Sequence, residues 1–232
     1  MATNKPRLLV TAGNTLAPID SVRGITNVFT GRTGARIAAE ATMSGYDVDL
    51  LTSHPDVVDE TVVDYSLLTI DAFTTFDELA QLMEDRFTKE RWDVVIHAAA
   101  VSDYRCTGVY QSPNADSPPL DATQKIPSRH QELWLRLLPT PKLVDKIRQP
   151  WGFKGVLVKF KLEVGVSDVE LVGRAREGWE RSDADLVVAN SYEWAKERAL
   201  FIDESSVETV ERARLPSKLL MRVEELRIRR GR

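Results

Sequence analysis

The sequence predicts an α/β protein whose mostly parallel sheet carries helices on both faces. Three observations predict it. Short apolar runs alternate with segments of helical periodicity along almost the whole chain. The strand-like run 93–98 has a continuous apolar centre, Val94-Val95-Ile96, as strands buried on both faces of a parallel sheet do. Two helix starts carry capping boxes, Thr75 with Glu78 and Ser167 with Glu170.

The elements follow in order. An apolar run at 7–12, broken by Gly13, is the first strand, and the Ala-rich stretch 31–45 between two glycines is helix-compatible. Residues 46–52 alternate like a second strand, and 65–70 read as a third. Behind Thr75, the residues Phe76, Leu79, Met83 and Phe87 recur at helical spacing, and the strand 93–98 follows. The pattern then dissolves over 107–131, where Pro113, Pro118, Pro119 and Pro127 stand among polar residues. Together with its flanks, about 105–131, this is an irregular excursion, and loops that long are functional or flexible. Strand character returns at 132–138, and a short helix follows with Pro141 near its first turn. Residues 155–160 form another buried strand, Val169, Val172, Ala175 and Trp179 mark a helix face, and 185–189 is the last core strand. Segments 199–203 and 207–210 suit an edge hairpin, and 215–230 closes as an amphipathic helix.

Bulk properties bound the function. With 232 residues, 43% hydrophobic and 28% charged, the chain can bury a core as one domain, 1–232, without staples. Its single cysteine, Cys106, excludes an internal disulfide and a Cys-pair metal site. No apolar run approaches a membrane span or a secretory leader, so a cytoplasmic protein is expected. A net charge of −4 gives no push toward nucleic acid. The basic run through Arg222, Arg227, Arg229, Arg230 and Arg232 reads as a solvated helix end rather than a polyanion tail.

In doubly wound sheets ligands bind beyond the carboxyl ends of the strands, which selects residues 13–20, 98–104, 160–163 and Asn190. The first strand ends in TAGNT, where Gly13 allows close backbone approach or a plain turn, and neither a dinucleotide fingerprint nor a P-loop is present. Gly31 and Gly34 bracket a helix N-terminus, either an anion site or an ordinary Gly-rich helix start, with Asp20, Arg23, Asn27, Thr30 and Arg32 close by. In HAAAVSDYR, the small Ala98, Ala99 and Ala100 admit a flat ligand. Asp103 can accept from ribose hydroxyls or help hold a metal, whereas His97 reads as a core histidine. Lys125, in the excursion, is either a solvated lysine or a mobile phosphate clamp.

The blocks LLVTAGNTLAPIDSVRGITNVFTGRTG, AAAVSDYR, KIPS, LPTPKLVDKI, KFKLEV, ADLVVAN and SKLLMRVEEL, in register over nearly the whole chain, resemble the phosphopantothenate–cysteine ligases. These phosphopantothenoylcysteine synthetases share the DNA/pantothenate metabolism flavoprotein C-terminal family, and the likeness is greatest to its stand-alone form without a fused flavin decarboxylase. The resemblance implies a Rossmann-like fold and ligation of cysteine to 4′-phosphopantothenate in coenzyme A biosynthesis. The route is an acyl nucleotide made from CTP, or less expectedly ATP, with Mg²⁺, and no flavin is expected in this chain. It further implies a homodimer built partly by the excursion, and a separate decarboxylase as possible partner. Carried over by position, Asn27 holds the acyl nucleotide and Lys125 reaches the nucleotide phosphate. Gly13, Ala98, Ala99, Asp103, Thr140, Pro141, Lys142, Leu143 and Phe160 fall to the nucleotide, and Asp20, Arg23, Thr30, Gly31, Arg32 and Gly34 to phosphopantothenate. The metal ligands are left unassigned.

The chain departs from relatives at several points. KIPS stands where many members have KIKK, Ala189-Asn190-Ser191 replaces A-N-D, GRTG replaces a GK-type start, and two helix lysines of the fused bacterial enzymes fall on Gly178 and Ser182. Two rival readings stay open. HAAA and the Tyr192-x-x-x-Lys196 spacing suit a short-chain dehydrogenase or epimerase, whose catalytic tyrosine a lysine on the same helix face would acidify. The lost lysines suit a catalytically silent dimeric relative.

Overall fold

The structure, a computed structural model, describes residues 5–59, 63–113 and 118–231. Residues 114–117 of the excursion and Arg232 of the basic run lie outside the described residues.

In chain order the elements are β1 (Arg7–Ala12), β2 (Leu16–Pro18), β3 (Gly24–Thr26), α1 (Arg32–Met43), β4 (Asp47–Thr52), β5 (Leu68–Ala72), α2 (Phe76–Lys89) and β6 (Val94–His97). There follow β7 (Tyr104–Tyr110), β8 (Trp134–Pro139), α3 (Leu143–Lys146), β9 (Val156–Glu163), α4 (Asp168–Ser182), β10 (Leu186–Ser191), β11 (Arg198–Ile202), β12 (Val207–Glu211) and α5 (Leu215–Arg229). The eight-stranded main sheet runs β12-β11-β10-β9-β6-β1-β4-β5. Its six parallel strands, renumbered among themselves, give the order 3-2-1-4-5-6 of a doubly wound Rossmann sheet. The expected edge hairpin supplies the antiparallel strands β11 and β12.

Period-two side-chain alternation divides the core between the sheet's faces. Leu8 and Val10 of β1 point toward Ile37 of α1 and Leu219 and Val223 of α5, whereas Leu9 joins Leu79 and Met83 of α2, Leu143 of α3 and Ile147 just after it. Val187 and Ala189 of β10 pack with Leu171 and Ala175 of α4. Each of these leucines, fully removed from water, contributes roughly 1.5–3 kcal/mol before entropy is counted. The capping boxes at α2 and α4 are both formed.

Three features depart from the sequence reading. The stretch 65–70 begins as a 3₁₀ turn, Tyr65–Leu67, capped by Asp64 accepting from Ser66 N at 3.0 Å, so strand pairing starts only at Leu68. The excursion opens as strand β7, which pairs with β8 in a separate antiparallel ribbon whose register breaks between Cys106 and Gly108. The strand expected at 132–138 therefore exists but lies outside the main sheet. Most of its residues are exposed, and without a buried face there was no periodicity to place it. The hairpin β2–β3 was not foreseen, because three-residue strands carry no periodic signal.

The basic C-terminal run is an ion-paired helix end. Arg222 pairs with Asp203 and Glu225, Arg227 with Glu224, and Arg230 with Asp185. Among the described residues no helix is long and apolar enough to cross a membrane.

Candidate active site

Strand order reverses between β1 and β6, so the loops leaving their carboxyl ends diverge and open a crevice. A cleft of about 490 Å³ lies there. One rim is two glycines in contact. Gly13 has φ 83° and Gly31 φ 76°, conformations that L side chains rarely adopt. A Cβ on Gly31 would lie 2.2 Å from Gly13 N, and one on Gly13 would lie 2.1 Å from Ser53 Oγ. A side chain at Gly31 would break its approach to Gly13, and one at Gly13 would collide with Ser53.

Gly31 is also the N-cap of α1. It offers no side-chain cap, and the first turn holds no acidic residue. The opening amides of α1 and the positive end of its dipole therefore face the cleft unanswered. Arg212, from the turn after β12, donates to Thr33 Oγ1 in that first turn and to Asn190 Oδ1 at 3.5 Å. Burial lowers its pKa, yet it stays cationic because guanidinium starts so high.

The opposite rim is the loop after β6, hydrogen-bonded to the β1 loop. Ala98 N donates to Thr11 O at 3.0 Å, Ala100 N to Gly13 O at 2.8 Å, and Ser102 N to Thr15 Oγ1 at 2.8 Å. Asn27, just past β3, donates from Nδ2 to Ala100 O at 3.1 Å, and its own carbonyl accepts from Asn14 Nδ2. Asn27 is thereby fixed between the two rims.

On the crevice floor His97 shares a 2.8 Å hydrogen bond with Thr11 Oγ1. Burial, helped by the charge of Lys159, pushes its pKa down to about 4, so it is a neutral core histidine. Lys159 is itself buried, which pushes its pKa down to about 8. Its Nζ donates to Gly178 O at 3.0 Å and Ser182 Oγ at 3.2 Å. Strand β9 thus places a lysine against Gly178 and Ser182 of α4.

Of the residues singled out by sequence, Gly13, Asn27, Thr30, Gly31, Arg32, Gly34, Ala98, Ala99, Asp103 and Phe160 all line this cleft. Ala100 and Asn190 line it as well, whereas Thr140, Pro141, Lys142, Leu143, Lys125, Asp20 and Arg23 stand off the lining. Leu143 is core, 1% exposed, and cannot contact a nucleotide without unpacking. Thr140 and Lys142 act on Asp103 from behind: Thr140 N donates to Asp103 O at 2.9 Å, its hydroxyl donates to Ser102 O at 2.6 Å, and Lys142 pairs with the Asp103 carboxylate. Pro141 is exposed between them. Lys125 is exposed and does not line the cleft.

Asp20 and Arg23 also lie off the lining. The buried Asp20 carboxylate accepts from Val22 N at 3.0 Å, Arg23 N at 2.9 Å, Arg23 Nε at 2.9 Å and Ile126 N at 3.1 Å. The Arg23 guanidinium beside it holds that carboxyl well below the usual carboxylate range. With its oxygens spent within the chain, Asp20 has no free edge for a substrate. Arg23 donates in turn to Ile126 O at 2.8 Å.

Sequence reading missed Phe29, Thr33, Ala195 and Arg212 on the lining. Arg212 could not have been found locally, since 179 residues separate it from Thr33. The Tyr192 and Lys196 pair loses its rationale, because residues 192–197 form turns rather than a helix and Tyr192 is exposed. Among the described residues no group of three or more His, Cys, Asp or Glu side chains could hold a metal.

A model of the DNA/pantothenate metabolism flavoprotein C-terminal domain matches residues 3–221. The chain is 38% identical over 190 residues to the coenzyme A biosynthesis bifunctional protein CoaBC of Thermococcus kodakarensis, covering 80% of this chain and 41% of that protein. It is 26% identical over 184 residues to the CoaBC protein of Methanocaldococcus jannaschii, covering 79% and 40%. The chain therefore spans about two fifths of the length of these relatives. Among solved structures it is similar to the DNA/pantothenate metabolism flavoprotein from Streptococcus pneumoniae, with TM-score 0.83, 30% identity, and 96% and 99% of the two chains covered. A Cab2 mutant in complex with phosphopantothenate-cysteine shares the fold at TM-score 0.75 and 17% identity, over 98% and 89% of the chains.

Proposed function

The chain belongs to the DNA/pantothenate metabolism flavoprotein C-terminal domain family, and from that membership we propose that it ligates cysteine to 4′-phosphopantothenate in coenzyme A biosynthesis. The proposed route has two steps. The substrate carboxylate attacks the α-phosphate of a nucleoside triphosphate, CTP in preference to ATP, and pyrophosphate leaves. The amine of cysteine then attacks the acyl nucleotide, giving 4′-phosphopantothenoylcysteine and the nucleoside monophosphate. The ligand carried by the Cab2 relative is of the same class as this product.

The observation that carries the reading is the convergence, in one cleft, of an uncapped helix start with Asn27, Asp103 and Phe160. Joining a carboxylate to a triphosphate gathers several negative charges, which cations and preorganised amides must offset. The α1 amides with Arg32 and Arg212 supply both. No enzyme nucleophile is needed, and holding two reactants in register accounts for about 7–11 kcal/mol of barrier.

In this reading Thr30, Gly31, Arg32 and Gly34 receive the phosphopantothenate side, while Arg23, off the lining, holds Asp20 and Ile126. Ala98, Ala99 and Phe160 bracket the base, and Asn27 holds the acyl nucleotide between the rims. Lys125 supplies charge to the nucleotide phosphate. A Mg²⁺ ion held chiefly by phosphate oxygens needs only one or two protein carboxylates, and Asp103 stands on the cleft for that purpose. The chain is proposed to act as a homodimer through the β7–β8 ribbon, where Tyr104, Trp134, Leu137 and Leu138 are exposed. A phosphopantothenoylcysteine decarboxylase is the proposed downstream partner.

The test is pyrophosphate release on mixing protein, Mg²⁺ and phosphopantothenate with each of the four nucleoside triphosphates, followed by cysteine. Release with CTP and amide formation with cysteine are expected. Folded protein that releases none with any nucleotide, and is not stabilised thermally by any, would sink the reading.

A further inference from the structure

The hairpin β2–β3 carries Asn27 at its base and Asp20 at its tip, and the tip grips the segment that bears Lys125. The grip is two-pronged. The Asp20 carboxylate accepts from Ile126 N at 3.1 Å, and Arg23, itself held by Asp20, donates to Ile126 O at 2.8 Å. Ile126 is 1% exposed, in a neighbourhood where Gln124, Lys125, Pro127, Ser128 and Arg129 are all exposed. One buried residue, bonded on both sides of its backbone to one hairpin, thus anchors a polar loop.

From this geometry we propose that Asp20 is a positioning residue: it ties the Lys125 segment to the hairpin that presents Asn27, so that lysine and asparagine move as one unit. The link is short. From Gly24 to Asn27 is three residues of extended chain, about 10 Å at the usual rise per residue. Pinning one residue of a long loop also removes the conformational freedom that would otherwise dilute the lysine's local concentration. The inference rests on the ligase reading, since it acts through Lys125, but it gives Asp20 a part that contacts no substrate.

The experiment is a double-mutant cycle with Asp20→Asn, Lys125→Gln and the combination, measuring pyrophosphate release and, separately, amide hydrogen exchange at Ile126. If Asp20 works through Lys125, Asp20→Asn slows release about ten- to a hundredfold, as misplacement of a catalytic group does, but adds nothing once Lys125 is Gln. Exchange at Ile126 speeds up in both backgrounds. Equal slowing in both backgrounds, or no slowing with Lys125 intact, overturns the proposal. A merely structural role of Asp20 would give that first pattern. If Asp20→Asn does not fold, Asp20→Glu, which keeps the charge and moves it by one methylene, takes its place in the same cycle. Failure of the ligase reading looks different, because the wild type itself then releases no pyrophosphate while Ile126 exchange still reports on the pin.

Discussion

Helices α4 and α1 begin in opposite ways. At α4, Ser167 accepts from Glu170 N at 3.3 Å while Glu170 accepts from Ser167 N at 2.9 Å, so the orphan amides are answered and two acidic residues sit in the first turn. At α1 a left-handed glycine stands at the cap, no side chain answers the amides, and two arginines, Arg32 and Arg212, face the same place. Capping is worth about 1 kcal/mol to a helix. Helices α3 and α5 also start without a side-chain cap, but only the bare start of α1 opens onto the cleft, beside Arg32 and Arg212. That contrast separates a helix start closed by its own side chains from one that faces the cleft.

The most severe way to break the comparison is Gly31→Ala. A Cβ there meets Gly13 N at 2.2 Å on a backbone with φ 76°, so the substitution should cost upwards of about 3 kcal/mol in a urea titration and abolish pyrophosphate release. Unchanged stability would mean that the two-glycine contact is dispensable.

Next is acid titration of the crevice floor. His97 has a folded pKa of about 4 against 6.5 unfolded, so its contribution is fully present above pH 6.5. Below that the unfolded chain takes up a proton the folded one refuses, and stability falls as pH drops toward 4, by on the order of 3 kcal/mol. Denaturation midpoints at pH 7 and pH 4.5 should differ less in His97→Gln than in the wild type. Equal pH dependence would show that another group titrates there.

Arg32→Glu sharpens the contrast directly. It makes α1 resemble α4 by placing an acid in the first turn, so stability should hold or rise by about 0.3–1 kcal/mol while the affinity for phosphopantothenate falls more than tenfold. Calorimetric binding and thermal melting separate the two effects, and a variant that loses stability and affinity together would break the distinction. The smallest effect is expected at Ser167→Ala, about 1 kcal/mol in stability with turnover unchanged. A fall in turnover there would show that α4's start also serves the site.

Much of this was legible beforehand because it rests on local rules. The two capping boxes, the continuous apolar strands and the closing hairpin follow from residues within a few positions of one another, and each is present as expected. Ten candidate residues converge on one cleft because they flank strand ends, and in a parallel sheet all such ends share an edge. The ribbon β7–β8 was only half seen, since strands without a buried face leave no alternating trace.

The sequence by itself therefore determined the sheet, its strand types, the glycine-bounded start of α1 and the edge at which ligands gather, because periodicity and backbone freedom are written into neighbouring residues. Only the tertiary structure decided which charges meet there. It brought Arg212 to Thr33 across 179 residues, set the Lys159 ammonium against Gly178 and Ser182, and turned Asp20 inward onto Ile126. Such pairings depend on which distant loops the packed core brings together, and no local pattern of residues encodes that.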